Sequence, residues 1–175
     1  MKKYLLLIML GTVLPGGLIR QVSAQDVLEQ KPAESEYWIN GGFGPAKPDY
    51  GFGLTGSYRT GLHIFSARFL YSTEVAILSD SREFLEGAIL SGLAWSTTYG
   101  LIGLETGIGF VSGSWDLSGQ SEIESFTTIG LPVAVQLFWT PTEKLGIGLY
   151  GYANFNSQEH MGGLLICLQL INFAG

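Results

Sequence analysis

Few side chains in this 175-residue chain could carry out chemistry. The only histidines are His63 and His160, and the only cysteine is Cys167. His160 lies near Ser157 and Glu159, the residue types of an acyl-transfer relay. Adjacent positions on a strand point to opposite faces, however, so the spacing suits a relay poorly. One cysteine and two histidines fall short of a four-ligand zinc site. Gly51-Phe52-Gly53 and similar pairs precede no helix signal, so they are not phosphate loops. The expectation is therefore no enzymatic activity, and no catalytic, cofactor-binding or metal-binding residue. Two charges stand out instead, Arg68 and Glu105, because the segments around them are nearly free of charge. Inside a narrow fold an unpaired charge is costly. The pair is expected to form a structural polar network with Gln136, Tyr150 and Gln169, in preference to a gate or ligand anchor.

The elements that must position these residues follow from periodicity. Eight segments alternate with a period of two: 37–44, 50–58, 62–71, 84–99, 101–113, 125–139, 144–156 and 160–173. Segment 101–113 shows the pattern most clearly. Ile102, Leu104, Thr106, Ile108 and Phe110 face one way, and Gly103, Glu105, Gly107 and Gly109 the other. Such alternation marks sheets with one apolar face. In a soluble sandwich the second face would meet water and carry Lys, Glu and Asp. Here it carries Gly, Ser, Thr, Tyr, Gln and Asn, as a closed lumen does, so the face rich in Leu, Ile, Val, Phe and Trp is expected to meet lipid. Trp38, Trp95, Trp115 and Trp139 then include members of aromatic belts at the membrane interfaces. Inward Tyr150 and Tyr152, beside Gly146 and Gly148, are expected to have their rings lying over glycines.

The connections agree. Short links near 59–61, 99–100 and 140–143 alternate with longer ones at 72–83 and 114–124, which carry most of the loop acid. The links at 45–49 and 157–159 belong on the long-loop rim but are short. Turns on one rim and loops on the other are the layout of an all-β, eight-stranded antiparallel up-and-down transmembrane β-barrel. Eight strands leave a lumen filled by side chains, with no aqueous channel. Windows 87–104 and 125–142 are uncharged and long enough to raise a helical membrane reading. Their period is two, which argues against helices. Pro132, inside the sixth segment, cannot donate to a ladder and is expected to mark a bulge or the start of regular pairing.

The N-terminus reads as a secretory signal peptide over 1–24: Lys2 and Lys3, an apolar run, Pro15-Gly16-Gly17, and Val22-Ser23-Ala24 before the cut. Residues 25–36 then form a flexible periplasmic lead-in, and 37–173 the barrel. Removing Lys2, Lys3 and Arg20 takes the net charge from −6 to about −9, which excludes nucleic acid as a partner. Charged residues are only 14 % while Gly reaches 25 residues, unlike a soluble domain.

The stretch Tyr37-Trp38-Ile39-Asn40-Gly41-Gly42-Phe43-Gly44 opens the barrel. Ile129-Gly130-Leu131-Pro132-Val133-Ala134-Val135-Gln136-Leu137-Phe138 leads through Thr140-Pro141 to Leu145-Gly146-Ile147-Gly148-Leu149-Tyr150-Gly151. Together these resemble small outer-membrane β-barrel proteins of Bacteroidetes-type bacteria, over most of the chain after residue 24. The resemblance implies an OmpA-like or OmpX-like eight-stranded architecture and a bacterial outer-membrane location. It carries no catalytic residue, and in that family a proline at the position of Pro132 is ordinary. The last segment resembles an assembly signal, with Gly163 followed by alternating apolar residues, but it departs from one by ending Phe173-Ala174-Gly175. The expected role is structural or surface-interacting, with outer-membrane lipid around the wall and an extracellular partner at loops 72–83 and 114–124. The alternatives are a lipid-modifying outer-membrane barrel enzyme and a soluble periplasmic barrel that binds an apolar ligand.

Overall fold

The computed structural model describes residues 35–74, 81–97, 99–116 and 124–172. The expected signal peptide, most of the lead-in, the middle of the two long loops and residues 173–175 lie outside them. Eight strands run through these residues: β1 Glu36–Pro45, β2 Tyr50–Thr60, β3 His63–Thr73, β4 Ser81–Thr97, β5 Gly100–Asp116, β6 Glu124–Trp139, β7 Leu145–Asn156 and β8 Met161–Ile171. Each pairs antiparallel with its sequence neighbours, and β1 pairs with β8, so the sheet closes into a barrel. At the β2–β3 turn the chain passes through Gly61 at φ 61°, a left-handed conformation that glycine adopts without a Cβ penalty.

The ladder is staggered. A path stepping sideways from Glu36 through Arg59, Ile64, Gly92, Glu105, Ala134, Tyr152 and Gly163 returns to β1 at Ala46, not at Glu36. A stagger of about 10 residues tilts the strands by about 40° and leaves an interior just wide enough for side chains.

The two faces separate as the alternation predicts. Phe43, Ile108, Leu131, Ile166 and Leu168 are exposed, whereas Trp38, Arg68, Glu105, Gln136 and Tyr150 are buried. Outward side chains of β6 stay apolar from Trp139 up to Ile129, then change to Thr127 and Ser125. The matching change on β5 follows Phe110, with Ser112 and Ser114 above it. At this tilt the apolar stretch of β6 rises about 25 Å, the height of a hydrocarbon-facing band.

Several strand ends differ from expectation. β1 begins at Glu36, inside the expected lead-in, and β8 ends at Ile171. More importantly, β4 and β5 run 17 residues and β6 runs 16, while the other strands run 10 to 12. The expected loops 72–83 and 114–124 are thus partly strand: Arg82 pairs with Trp115, and Trp115 with Glu124. β5, expected to end at Gly113, runs on to Asp116, whereas β6 begins one residue before its expected start at Ser125. Glu124–Ile129 pair only with β5, because β6–β7 pairing begins at Gly130↔Asn156. The β4–β6 sheet therefore stands above the rest of the wall as a blade.

Pro132 makes no bulge. The β5–β6 register is the same on both sides of it, at Thr106↔Val133 and Gly109↔Gly130. The Pro132 carbonyl accepts a bond from Thr106 Oγ1 at 3.0 Å. Windows 87–104 and 125–142 are strands, and among the described residues no helix is long and apolar enough to cross a membrane.

Candidate functional site in the lumen

Inward positions of β3 are Ile64, Ser66, Arg68, Leu70 and Ser72, all buried. Arg68 stretches across the barrel from β3 towards β7, which lies opposite. Its Nε donates to Glu86 Oε1 at 3.2 Å, and its Nη2 forms a short, fully buried ion pair with the same oxygen. Nη1 donates to Tyr150 Oη at 3.3 Å and to the Val133 carbonyl at 3.5 Å. The guanidinium also lies 6.0 Å from the ring centre of Tyr150 and 5.6 Å from that of Tyr152, within cation–π range. One side chain thus joins β3, β4, β6 and β7.

Arg68 therefore does not pair directly with Glu105, contrary to expectation. Across β3–β4, Arg68 faces Ala88, which places Glu86 diagonally beside it, while Glu105 is a further strand away. Glu105 instead accepts from Ser66 Oγ and from Gln136 Nε2, each at 2.5 Å. Ser66 in turn shares a 2.8 Å bond with Ser57. Gln136 packs over Gly103, and its Cβ lies 3.4 Å from where a Cβ at that glycine would sit. Gln169 belongs to neither cluster. It lies over Gly146, beside Asn40 in the β1–β8 ladder, and neither of its amide atoms has a hydrogen-bond partner among the described residues. Of the five residues expected to form one network, Arg68 and Tyr150 meet, Glu105 and Gln136 meet, and Gln169 stands apart.

The sequence reading missed Glu86, although the signal was present. In segment 84–99 a period of two puts Gly92 and Ala94 on the face opposite Ile89, Leu93 and Trp95, and the same parity puts Glu86 inside. Tyr152 lies over glycines, though not its sequence neighbours Gly146 and Gly148. Tyr152 Oη lies against Gly51 and Gly163, Gln169 covers Gly146, and Phe138 covers Gly148. Cys167 is a buried free thiol beside Gly42.

Apolar layers close both ends of this polar interior. Trp38, Ile64, Ala94, Leu101 and Phe138 fill the end that carries the short turns. Phe84, Val111 and Met161 fill the other end, with Phe126 packed on them. Trp115 stacks on Phe126 with ring centres 5.4 Å apart. Above that cap, Lys47 Nζ lies 3.1 Å from Glu159, and Arg82 lies 3.8 Å from Glu159 and 4.0 Å from Glu74. These ion pairs link three of the loop-rim connections.

The residues that could suggest an acyl-transfer relay are not assembled into one. The His160 ring packs edge-on to Phe155 at 5.7 Å, while Glu159 turns to Lys47 and Arg82. Among the described residues no cluster of three His, Cys, Asp or Glu could hold a metal ion.

No protein-family description and no curated protein sequence matches the chain. Solved structures do. Ail, the attachment invasion locus protein of Yersinia pestis, aligns with a TM-score of 0.58 at 16% identity, over 79% of this chain and 99% of its own. It has also been solved with the heparin analogue sucrose octasulfate. Neisserial surface protein A aligns at 0.57 and 14% identity, over 78% and 94% of the two chains. The N-terminal β-barrel domain of Pseudomonas aeruginosa OprF aligns at 0.58 and 8% identity, over 81% and 99%. At such identities the likeness is one of fold, and that fold is the small, closed, eight-stranded barrel of outer-membrane proteins.

Proposed function

We propose that this chain is a bacterial outer-membrane β-barrel with a structural or surface-interaction role and no enzymatic activity. The observation that carries this reading is the outer wall. Large apolar side chains cover it over about the thickness of a hydrocarbon layer, then give way to Ser, Thr and Glu on the β4–β6 blade. A protein in water does not present so continuous an apolar girdle. The filled lumen argues against a pore. The sequence stretches quoted above favour a Bacteroidetes-type source, with cleavage after Ala24 and a free periplasmic lead-in.

The contact element of the proposed surface role is the blade, together with loops 72–83 and 114–124. Its β6 edge from Glu124 to Ile129 is unpaired by any described strand, and an open edge offers backbone donors and acceptors to a partner's strand. The Ail neighbour binds a sulfated, anionic heparin analogue. Here the sequence of loops 72–83 and 114–124 is acidic, with Glu74, Asp80, Glu83, Asp116, Glu122 and Glu124, which favours a neutral or basic partner.

Membrane fractionation combined with a heat-modifiability gel tests the reading. The expected result is retention in the membrane through carbonate washing, release by detergent, and a shift in migration on boiling. Release by carbonate alone would instead support the soluble barrel with an apolar ligand. Incubation with lipopolysaccharide or phospholipid is expected to liberate no acyl chain.

A further inference from the structure

The apolar girdle has one polar interruption at mid-height. Outward positions of β4 run Leu85, Gly87, Ile89, Ser91, Leu93 and Trp95, and those of β5 run Ile102, Leu104, Thr106, Ile108 and Phe110. Ser91 and Thr106 are both exposed and face each other across the β4–β5 ladder. Among the described residues they are the girdle's two aliphatic hydroxyls, and they are adjacent. Exposed Phe65, Ile89, Leu93, Leu104 and Ile108 surround them. The two hydroxyls differ in what each still has to offer. Thr106 Oγ1 donates its proton to the Pro132 carbonyl at 3.0 Å, so its lone pairs remain to accept. Ser91 Oγ has no hydrogen-bond partner among the described residues, so its proton remains to donate. The ladder is also open beside Thr106. No pairing joins Gly107–Ile108 to Leu131–Pro132, and a proline has no N–H to give.

We propose that this patch is where two copies of the barrel meet in the membrane, an inference that rests on the outer-membrane reading above. Hydrocarbon tails at this depth neither donate nor accept hydrogen bonds. A free hydroxyl there is matched only by another membrane-embedded chain, and such groups do act as contacts between spanning elements. Self-complementarity selects a second copy as that chain. A two-fold axis along the membrane normal, passing between Ser91 and Thr106, carries each Ser91 to the position opposite the partner's Thr106. Each Ser91 then donates to a Thr106 Oγ1 that can only accept, and symmetry makes the bond twice. The axis keeps both barrels in one orientation, as insertion into a single membrane requires. Short side chains at the axis let the two convex walls approach where the bonds form.

Ser91→Cys provides the test, because Cys167 is buried and the new thiol stands alone on the outer wall. The full barrel is placed in lipid vesicles at a low protein-to-lipid ratio and oxidised with copper phenanthroline. A disulfide-linked dimer is expected for Ser91→Cys. None is expected for Leu168→Cys, an exposed position on β8 at the far side of the ring. Energy transfer between labelled barrels, followed as lipid is added, gives the dimer's dissociation constant. Ser91→Ala is expected to raise it about eightfold, the loss of two bonds of average intramembrane strength. Equal cross-linking at positions 91 and 168 overturns the proposal, as does an unchanged constant in Ser91→Ala. A cross-link from position 91 to a different membrane protein, with no self-dimer, overturns it as well. A barrel that resists carbonate and shifts on boiling but stays monomeric removes the dimer alone, whereas release by carbonate removes the outer-membrane reading itself.

Discussion

The short wall, β1 to β3 with β7 and β8, and the tall wall, β4 to β6, are built from the same two-residue alternation and differ in where it ends. Short-wall strands of 10 to 12 residues match the roughly 9–11 residues a tilted strand needs to cross a hydrocarbon core. The tall wall continues for several residues beyond that length, and there its outward side chains become Ser112, Ser114, Ser125 and Thr127. The extension cannot be explained by spanning, since its outer face is unsuited to lipid. Its inner face remains apolar, with Phe84, Trp115 and Phe126 clustered over the lumen. The difference shows that strand length and lipid exposure are set separately. The ladder decides how far a strand runs, and side-chain polarity decides how much of it meets hydrocarbon.

Five substitutions would break or sharpen this contrast. The largest effect is expected at the strap that joins the walls. Glu86→Ala leaves Arg68 buried without its carboxylate and should cost about 3–5 kcal/mol, read as a lower temperature of conversion on the heat-modifiability gel. An unchanged midpoint would mean that the two walls hold together without the strap. Next, Ile108→Arg places a charge on the apolar stretch of β5 and should cost about 2–4 kcal/mol in denaturant titration of the lipid-embedded barrel. Ser114→Arg, on the same strand and the same side but on the blade, should cost close to nothing. Equal costs at the two positions would show that the blade sits in lipid after all. A smaller loss, about 1–2 kcal/mol, is expected from Glu105→Gln, which weakens charge-assisted bonds to Ser66 and Gln136. No change in detergent melting would remove the stabilising role of that cluster. The smallest measurable loss belongs to Thr106→Val, which deletes the bond to the Pro132 carbonyl and should cost about 1 kcal/mol in the same melt.

Much of this fold was legible before any coordinates. Eight strands, their order and the face of each named residue follow from parity, since a period of two leaves one choice of side per strand. That choice is settled by where the glycines and hydroxyls fall. Strand ends were less legible, as on β5, expected to end at Gly113 and running on to Asp116. On β4, β5 and β6 the outward pattern turns polar before the pairing stops. Pro132 also misled. A missing donor suggests a bulge, yet the β5–β6 pairing keeps one register on both sides of Pro132.

The site was legible only in part. Sequence parity put Arg68, Glu105, Gln136, Tyr150 and Gln169 inside, and all are buried. It could equally have put Glu86 inside, which was overlooked. What no linear pattern contains is who meets whom across the lumen. That depends on closure and on the stagger around the ring, which decide the height at which each inward side chain arrives. By itself the chain determined a closed sheet with a greasy outside and a small, polar inside. Only the three-dimensional barrel decided that Arg68 clasps Glu86, that Gln169 lies apart from both clusters, and that β5 runs on to Asp116. Facing is a property of neighbouring bonds, whereas meeting across a cavity is a property of the whole ring.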